Sequence, residues 1–147
     1  MEIIKIIIQG SSGYGPADEA YKDKLVLTSC SISYEYKPHE KSRSQSNVCR
    51  KWSYKTTSPV FKQIFRKAAE KTPDSLNSNK IPFVIDLGSI EITAVFEDKH
   101  REKAKFFCSG DCFREYFSVI KKLVPQTEYL PAVLLTSDDF EGEDECS

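Results

Sequence analysis

Two cysteines close in sequence carry the sharpest chemical signal. Cys108 ends an alternating apolar run and Cys112 opens a segment with helical periodicity. At a helix start the free backbone N–H groups and the dipole stabilise a thiolate, so the pair reads as a candidate for thiol-dependent catalysis. The spacing opposes that reading. A dithiol redox motif has two intervening residues where this C-x-x-x-C has three, and Asp111 beside Cys112 disfavours a thiolate. Nor do Cys30, Cys49, His39 and His100 supply the closely spaced ligands of a structural zinc. The expectation is packed thiols, with no metal and no cofactor; a thiol enzyme at Cys108 and Cys112 stands as the alternative.

The remaining reactive residue types form no catalytic set. His39 and His100 both fall among charged residues in polar loops, so no Ser/His/Asp triad suggests itself. Asp86 and Glu91 are expected to lie near each other on the outward face of a hairpin, where an exposed polar sheet surface is commoner than a paired-carboxylate site. The glycine-rich run from Gly10 to Pro16 follows an apolar run, yet it lacks the Gly-Lys-Ser/Thr ending and the G-x-G-x-x-G spacing of phosphate loops. It reads as a connector.

Charge is distributed unevenly although the net charge is −1. Lys37 to Lys71 holds ten Lys or Arg against Glu40 and Glu70, whereas Asp138 to Ser147 holds six acidic residues and no basic one. Lys51, Lys55, Lys62, Arg66 and Lys67 are therefore the candidate binding residues for a polyanion. Lys51 and Lys55 interleave with Trp52 and Tyr54, but alternation turns the aromatics inward with Val48, which removes a base-stacking platform. The acidic tail, 138–147, is expected to be disordered. Its deletion after Ser137 should leave the fold intact and strengthen polyanion binding.

The elements that must position these residues follow from periodicity. Ile3, Ile4, Ile6, Ile7 and Ile8 form a β-branched run suited to a strand buried on both faces inside a sheet. Leu25 and Leu27, then Ile32, Tyr34 and Tyr36, predict a hairpin turning at Cys30 and Ser31. Val48, Trp52 and Tyr54 predict a third strand, and Ser58-Pro59 starts a helix running to about Thr72. Phe83, Ile85 and Leu87 alternate with one parity, and Ile90, Ile92, Ala94 and Phe96 with the other, which predicts a second hairpin about Gly88 and Ser89. Ala104, Phe106 and Cys108 predict another strand after the polar run Glu97 to Lys103. A helix capped by Asp111 then carries Phe113, Tyr116, Phe117, Ile120, Leu123 and Val124 to Pro125. Tyr129 to Thr136 suits an edge strand or a helix equally well.

Both halves read β-β-β-α, with an internal duplication of 24–72 onto 82–124 as one explanation. The fold expected is α+β: a mainly antiparallel sheet from two such units, both helices on one face, plus an N-terminal strand. One domain spans 1–137.

The wording Tyr21-Lys-Asp-Lys24, Ser31-Ile-Ser-Tyr-Glu-Tyr36, Lys51-Trp-Ser-Tyr-Lys-Thr56 and Ser58-Pro59 resembles that of short uncharacterised bacterial proteins over about residues 14 to 70. The resemblance implies a bacterial-type cytoplasmic domain and brings no catalytic motif. The apolar start is too short for a membrane span, and a reducing cytosol suits five thiols. A non-enzymatic binding or accessory domain is therefore expected, meeting a protein partner through the sheet face or edge. Weak nucleic-acid or polyanion binding through Lys37 to Lys71 is the second alternative.

Overall fold

The computed structural model describes residues 2–12, 20–38, 48–77, 88–107, 110–136 and 139. Among them six strands form one sheet: β1 (Ile3–Ser11), β2 (Tyr21–Thr28), β3 (Ser31–Pro38), β4 (Arg50–Lys55), β5 (Ser89–Phe96) and β6 (Arg101–Phe106). The helices are α1 (Pro59–Leu76) and α2 (Arg114–Lys121). The spatial order is β4-β3-β2-β1-β5-β6, and every neighbouring pair is antiparallel. This is the expected α+β class.

The isoleucine run is internal, as its composition requires: β1 pairs with β2 on one side and β5 on the other. Ile6 and Ile8 are fully buried towards the helices, and Ile7, pointing the other way, is 7% exposed. The β2–β3 hairpin forms as expected, but in a shifted register, with Leu27 opposite Ile32 and Leu25 opposite Tyr34. Its turn is Ser29-Cys30, one residue earlier than predicted, because Ser31 already pairs with Thr28.

The second hairpin needs correction. Gly88 has the positive φ of 79° that its turn role predicted, but Ser89 already lies in β5 opposite Ser11. Ile90 faces Gly10 on one side and Phe106 on the other, so both edges of β5 are taken by β1 and β6. Phe83, Ile85 and Leu87 lie outside the described residues. β6 starts at Arg101, inside the run read as a connector: an edge strand tolerates a wholly charged outward face.

α1 buries Phe61, Phe65, Ala68, Thr72 and Ser75, a stripe at three- and four-residue steps. Pro59 occupies the first turn, while the Ser58 side chain makes no capping bond; its N–H instead donates to Thr56 Oγ1 at 3.1 Å. The helix passes its predicted end at Thr72 and continues through Pro73. Thr72 helps it do so, since its hydroxyl donates to the Ala68 carbonyl (2.8 Å) and meets the Tyr116 hydroxyl on α2 (2.8 Å).

α2 is preceded by a 3-10 turn, Gly110–Phe113, so Asp111 is not its cap and instead approaches Arg114 at 3.7 Å. Three- and four-residue spacing still brings Phe113, Tyr116, Phe117, Ile120 and Leu123 into the core. Tyr129 to Thr136 is neither strand nor α-helix: a 3-10 turn at Ala132–Leu134 packs on β1 and β2, burying Val133 and Leu134. In the acidic tail Asp139 is placed, its carboxylate 2.6 Å from Lys121 Nζ and 2.9 Å from the Thr136 N–H; the other tail residues lie outside the described ones.

Candidate functional site

Strand alternation gives the sheet two unlike faces: one covered by the helices and one, the open face, over which no element among the described residues lies. The covered face carries the helices and, at its far end, the Ala132–Leu134 turn. Asp23 points into this second region and is 4% exposed. Its Oδ2 accepts from the Tyr34 hydroxyl (2.6 Å) and from the Val133 N–H (2.9 Å), and Tyr34 Oη accepts in turn from the Ala132 N–H (3.1 Å). Oδ1 meets the backbone of Gly10 and has no well-formed hydrogen bond among the described residues. It rests against Gly10, where a Cβ would come within 2.3 Å of it and 2.9 Å of Val133, so only glycine fits. Burial pushes the Asp23 carboxyl above its ordinary range, against the opposing pull of the Tyr34 and Val133 hydrogen bonds.

Aromatic rings surround this centre. Tyr21 stacks on Tyr36 at 4.9 Å, and burial, then the Asp23 charge, raises the Tyr21 phenol to about 12. The Arg50 guanidinium lies 4.6 Å from the Tyr36 ring centre and 5.1 Å from that of Tyr129, tying edge strand β4 to the chain end. Among the described residues no Cys, Ser or Lys side chain is bonded to Asp23, which is closed from solvent. What it can do is hold the Ala132–Leu134 turn on the sheet.

Of the two thiol candidates the structure describes one, Cys112. Cys108 lies outside the described residues. Cys112 is half-buried in the 3-10 turn, beside a shallow depression of about 340 Å³ that Lys71, Asp74, Asp111 and Arg114 also line. Among the described residues no three His, Cys, Asp or Glu side chains are grouped to hold a metal ion. His100 stacks on Phe96 at 4.3 Å and pairs with Asp98 in the β5–β6 turn; His39 and Asp86 fall outside the described residues.

The predicted binding residues divide between two sides of the molecule. Lys62, Arg66 and Lys67 are exposed on α1, over the covered face. Lys51 and Lys55 point from β4 to the opposite, open face, while Trp52 turns inward and is 9% exposed. Tyr54 shares the inward side yet stays 43% exposed at the sheet edge, its ring 6.4 Å from that of Phe61. Val48 precedes the strand and is exposed as well.

Register then shows what one segment of sequence hides. Across the open face, one row reads Lys51, Glu35, Lys24, Gln9, Glu91, Lys105. A second reads Lys55, Ser31, Thr28, Lys5, Val95, Arg101, and between them Ser53, Ser33, Val26, Ile7, Thr93, Lys103. A shorter row adds Lys37, Lys22, Ser11 and Ser89. Among the described strand positions of this face nine cations thus accompany two carboxylates, in a chain that holds 21 cations and 22 carboxylates in all.

Both acidic residues are engaged: Glu35 with Lys37 at 2.9 Å, and Glu91 with Gln9 Nε2 at 3.3 Å. Lys37, then Lys51 and Lys24, hold the Glu35 carboxyl below its ordinary value, the sign of a positive local field. The centre of the face is buried although no described element lies over it, with Ile7, Thr93 and Val95 at most 7% exposed, whereas the Lys and Arg side chains of β2, β3, β4 and β6 are all exposed. No protein-family model and no curated protein matches the chain. No helix among the described residues is long and apolar enough to cross a membrane.

Proposed function

We propose that this chain is a non-enzymatic binding domain that docks an acidic partner on the open face of its sheet. The observation that carries the reading is the registered surface of nine cations against two carboxylates in a chain whose net charge is −1. A field of one sign over a broad surface accelerates and orients encounter with the opposite sign. The α1 cations are a lesser site, because Glu70 and Asp74 share that helix with Lys62, Arg66, Lys67 and Lys71, two carboxylates for four cations.

Heparin affinity chromatography of two triple variants tests this assignment. Lys24→Glu, Lys51→Glu and Lys103→Glu on the open face should lower the eluting salt concentration well below that of wild type. Lys62→Glu, Arg66→Glu and Lys67→Glu, an equal change of charge, should lower it less. Equal shifts, or a larger one for the helix set, would refute the open face as the docking surface.

A further inference from the structure

We infer that the acidic partner is a nucleic-acid duplex, held by its two phosphate backbones without reading of base sequence; this rests on the open-face docking proposed above. Three observations narrow the partner class. The exposed cations form two flanks: five lysines on β2, β3 and β4, and Arg101, Lys103 and Lys105 on β6. Between them, β1 and β5 contribute one cation, Lys5, and one carboxylate, Glu91, so the middle is neutral. The inner edges of the flanks, on β2 and β6, are three strand spacings apart, about 14 Å. That separation is close to the roughly 12 Å width of a major groove, so the flanks can meet the backbones on either side of one groove.

The second observation concerns stacking. The open-face positions of the six strands hold no aromatic residue, and Phe107, exposed just past β6, is a single ring already approached by Lys105 at 5.6 Å. Successive unpaired bases need successive rings, so among the described residues a single strand would find charge here but no platform. The third concerns the buried centre. An acidic amphipathic helix would need apolar anchors in the strip between the flanks, and Ile7 and Val95, each 7% exposed, offer almost no accessible surface. A duplex backbone needs only the cations. Phosphate contacts position a protein without carrying sequence information, which matches a face built of lysine and short hydroxyl side chains.

The test is fluorescence anisotropy with the full chain and three labelled probes: a mixed-sequence duplex about two helical turns long, one of its strands, and poly-glutamate. Two charge-reversal variants, Lys24→Glu with Lys51→Glu and Lys103→Glu with Lys105→Glu, address one flank each; unchanged circular dichroism and thermal midpoint verify their folding. The expected result is tightest binding to the duplex, indifferent to its sequence, with log K falling against log salt at a slope of roughly −3.5 to −7. Each variant should weaken duplex binding about tenfold or more and flatten that slope. Single strand or poly-glutamate binding as tightly as duplex, or duplex binding that depends on one flank only, would overturn this inference and leave the open-face reading standing. Failure of all three probes to bind, or binding untouched by either variant, would overturn both.

Discussion

Asp23 and Glu35 are diagonal neighbours across the β2–β3 ladder, yet their carboxyl groups shift in opposite directions. Asp23 points to the covered face, where burial favours its neutral form; Glu35 points to the open face, where Lys37 and then Lys51 and Lys24 favour its charged form. The backbone between them is one continuous pleat. Alternation alone sorts the two acids, one into the service of packing and the other into a field that faces outward. Neighbouring residues of these strands therefore provide matched tests.

The largest difference is expected between Leu25 and Lys24. Leu25 is fully buried, so Leu25→Ala should cost about 2–5 kcal/mol in urea unfolding, while Lys24→Ala, on the exposed side, should stay within about 0.5 kcal/mol. Comparable losses from both would mean that the faces are not distinct.

Next come Tyr34 and Ser33. Tyr34→Phe deletes the hydroxyl that donates to Asp23 and accepts from Ala132, leaving buried groups unpaired at a cost of about 2 kcal/mol, against almost nothing for Ser33→Ala. Amide exchange at Ala132 and Val133 should accelerate in Tyr34→Phe. Unchanged exchange there would remove the anchoring role given to this pair.

A pH comparison sharpens the contrast in sign. Asp23 is raised in the folded state, so its contribution to stability is fully present below the ordinary carboxyl pKa of about 3.9 and is lost as pH rises through the raised folded value. Measured against Asp23→Asn, wild type should lose ground by up to about 1.4 kcal/mol per pH unit across that window. Glu35 behaves conversely: its folded value is lowered, so its contribution is present above the ordinary pKa and lost as pH falls. Urea midpoints from acid to neutral pH decide the matter, and parallel curves for wild type and Asp23→Asn would deny that Asp23 titrates differently on folding.

The smallest effect concerns the tail. Truncation after Ser137 removes Asp139 from Lys121, a pair with side chains 17% and 19% exposed, and should cost no more than about 1 kcal/mol. The same truncation removes six acidic residues and should raise affinity for heparin. Equal elution of both forms would leave the tail without influence on the open face.

What could be read from the sequence was local. The β2–β3 hairpin and the stripes of α1 and α2 follow from periodicity, and the isoleucine run announced an internal strand, because each signal is complete within a few residues. Asp23 was not legible. Between Lys22 and Lys24 it looks like part of a solvated strand end, and its burial depends on Val133, 110 residues away. The open face was hidden for a related reason: β1 joins β2 to β5, a register that no single strand encodes. Segment 37–71 reads as one basic patch, but of its described cations Lys37, Lys51 and Lys55 lie on the open face of β3 and β4, and Lys62, Arg66, Lys67 and Lys71 lie on α1 over the covered face. The end of α1 was misjudged at Pro73, where the helix continues despite the missing N–H.

The central place of β1 also bears on how the chain is made. Of its two neighbours, β1 meets β2 after a short interval of synthesis, but the other, β5, begins only at Ser89. A nascent chain that has emerged as far as Leu76 thus carries the isoleucine run with one edge of unpaired N–H and C=O groups, a template for another chain. Release of the second half closes that edge. The interval of synthesis between residues 11 and 89 is the period in which this molecule is most exposed to self-association and in which a chaperone has most to protect.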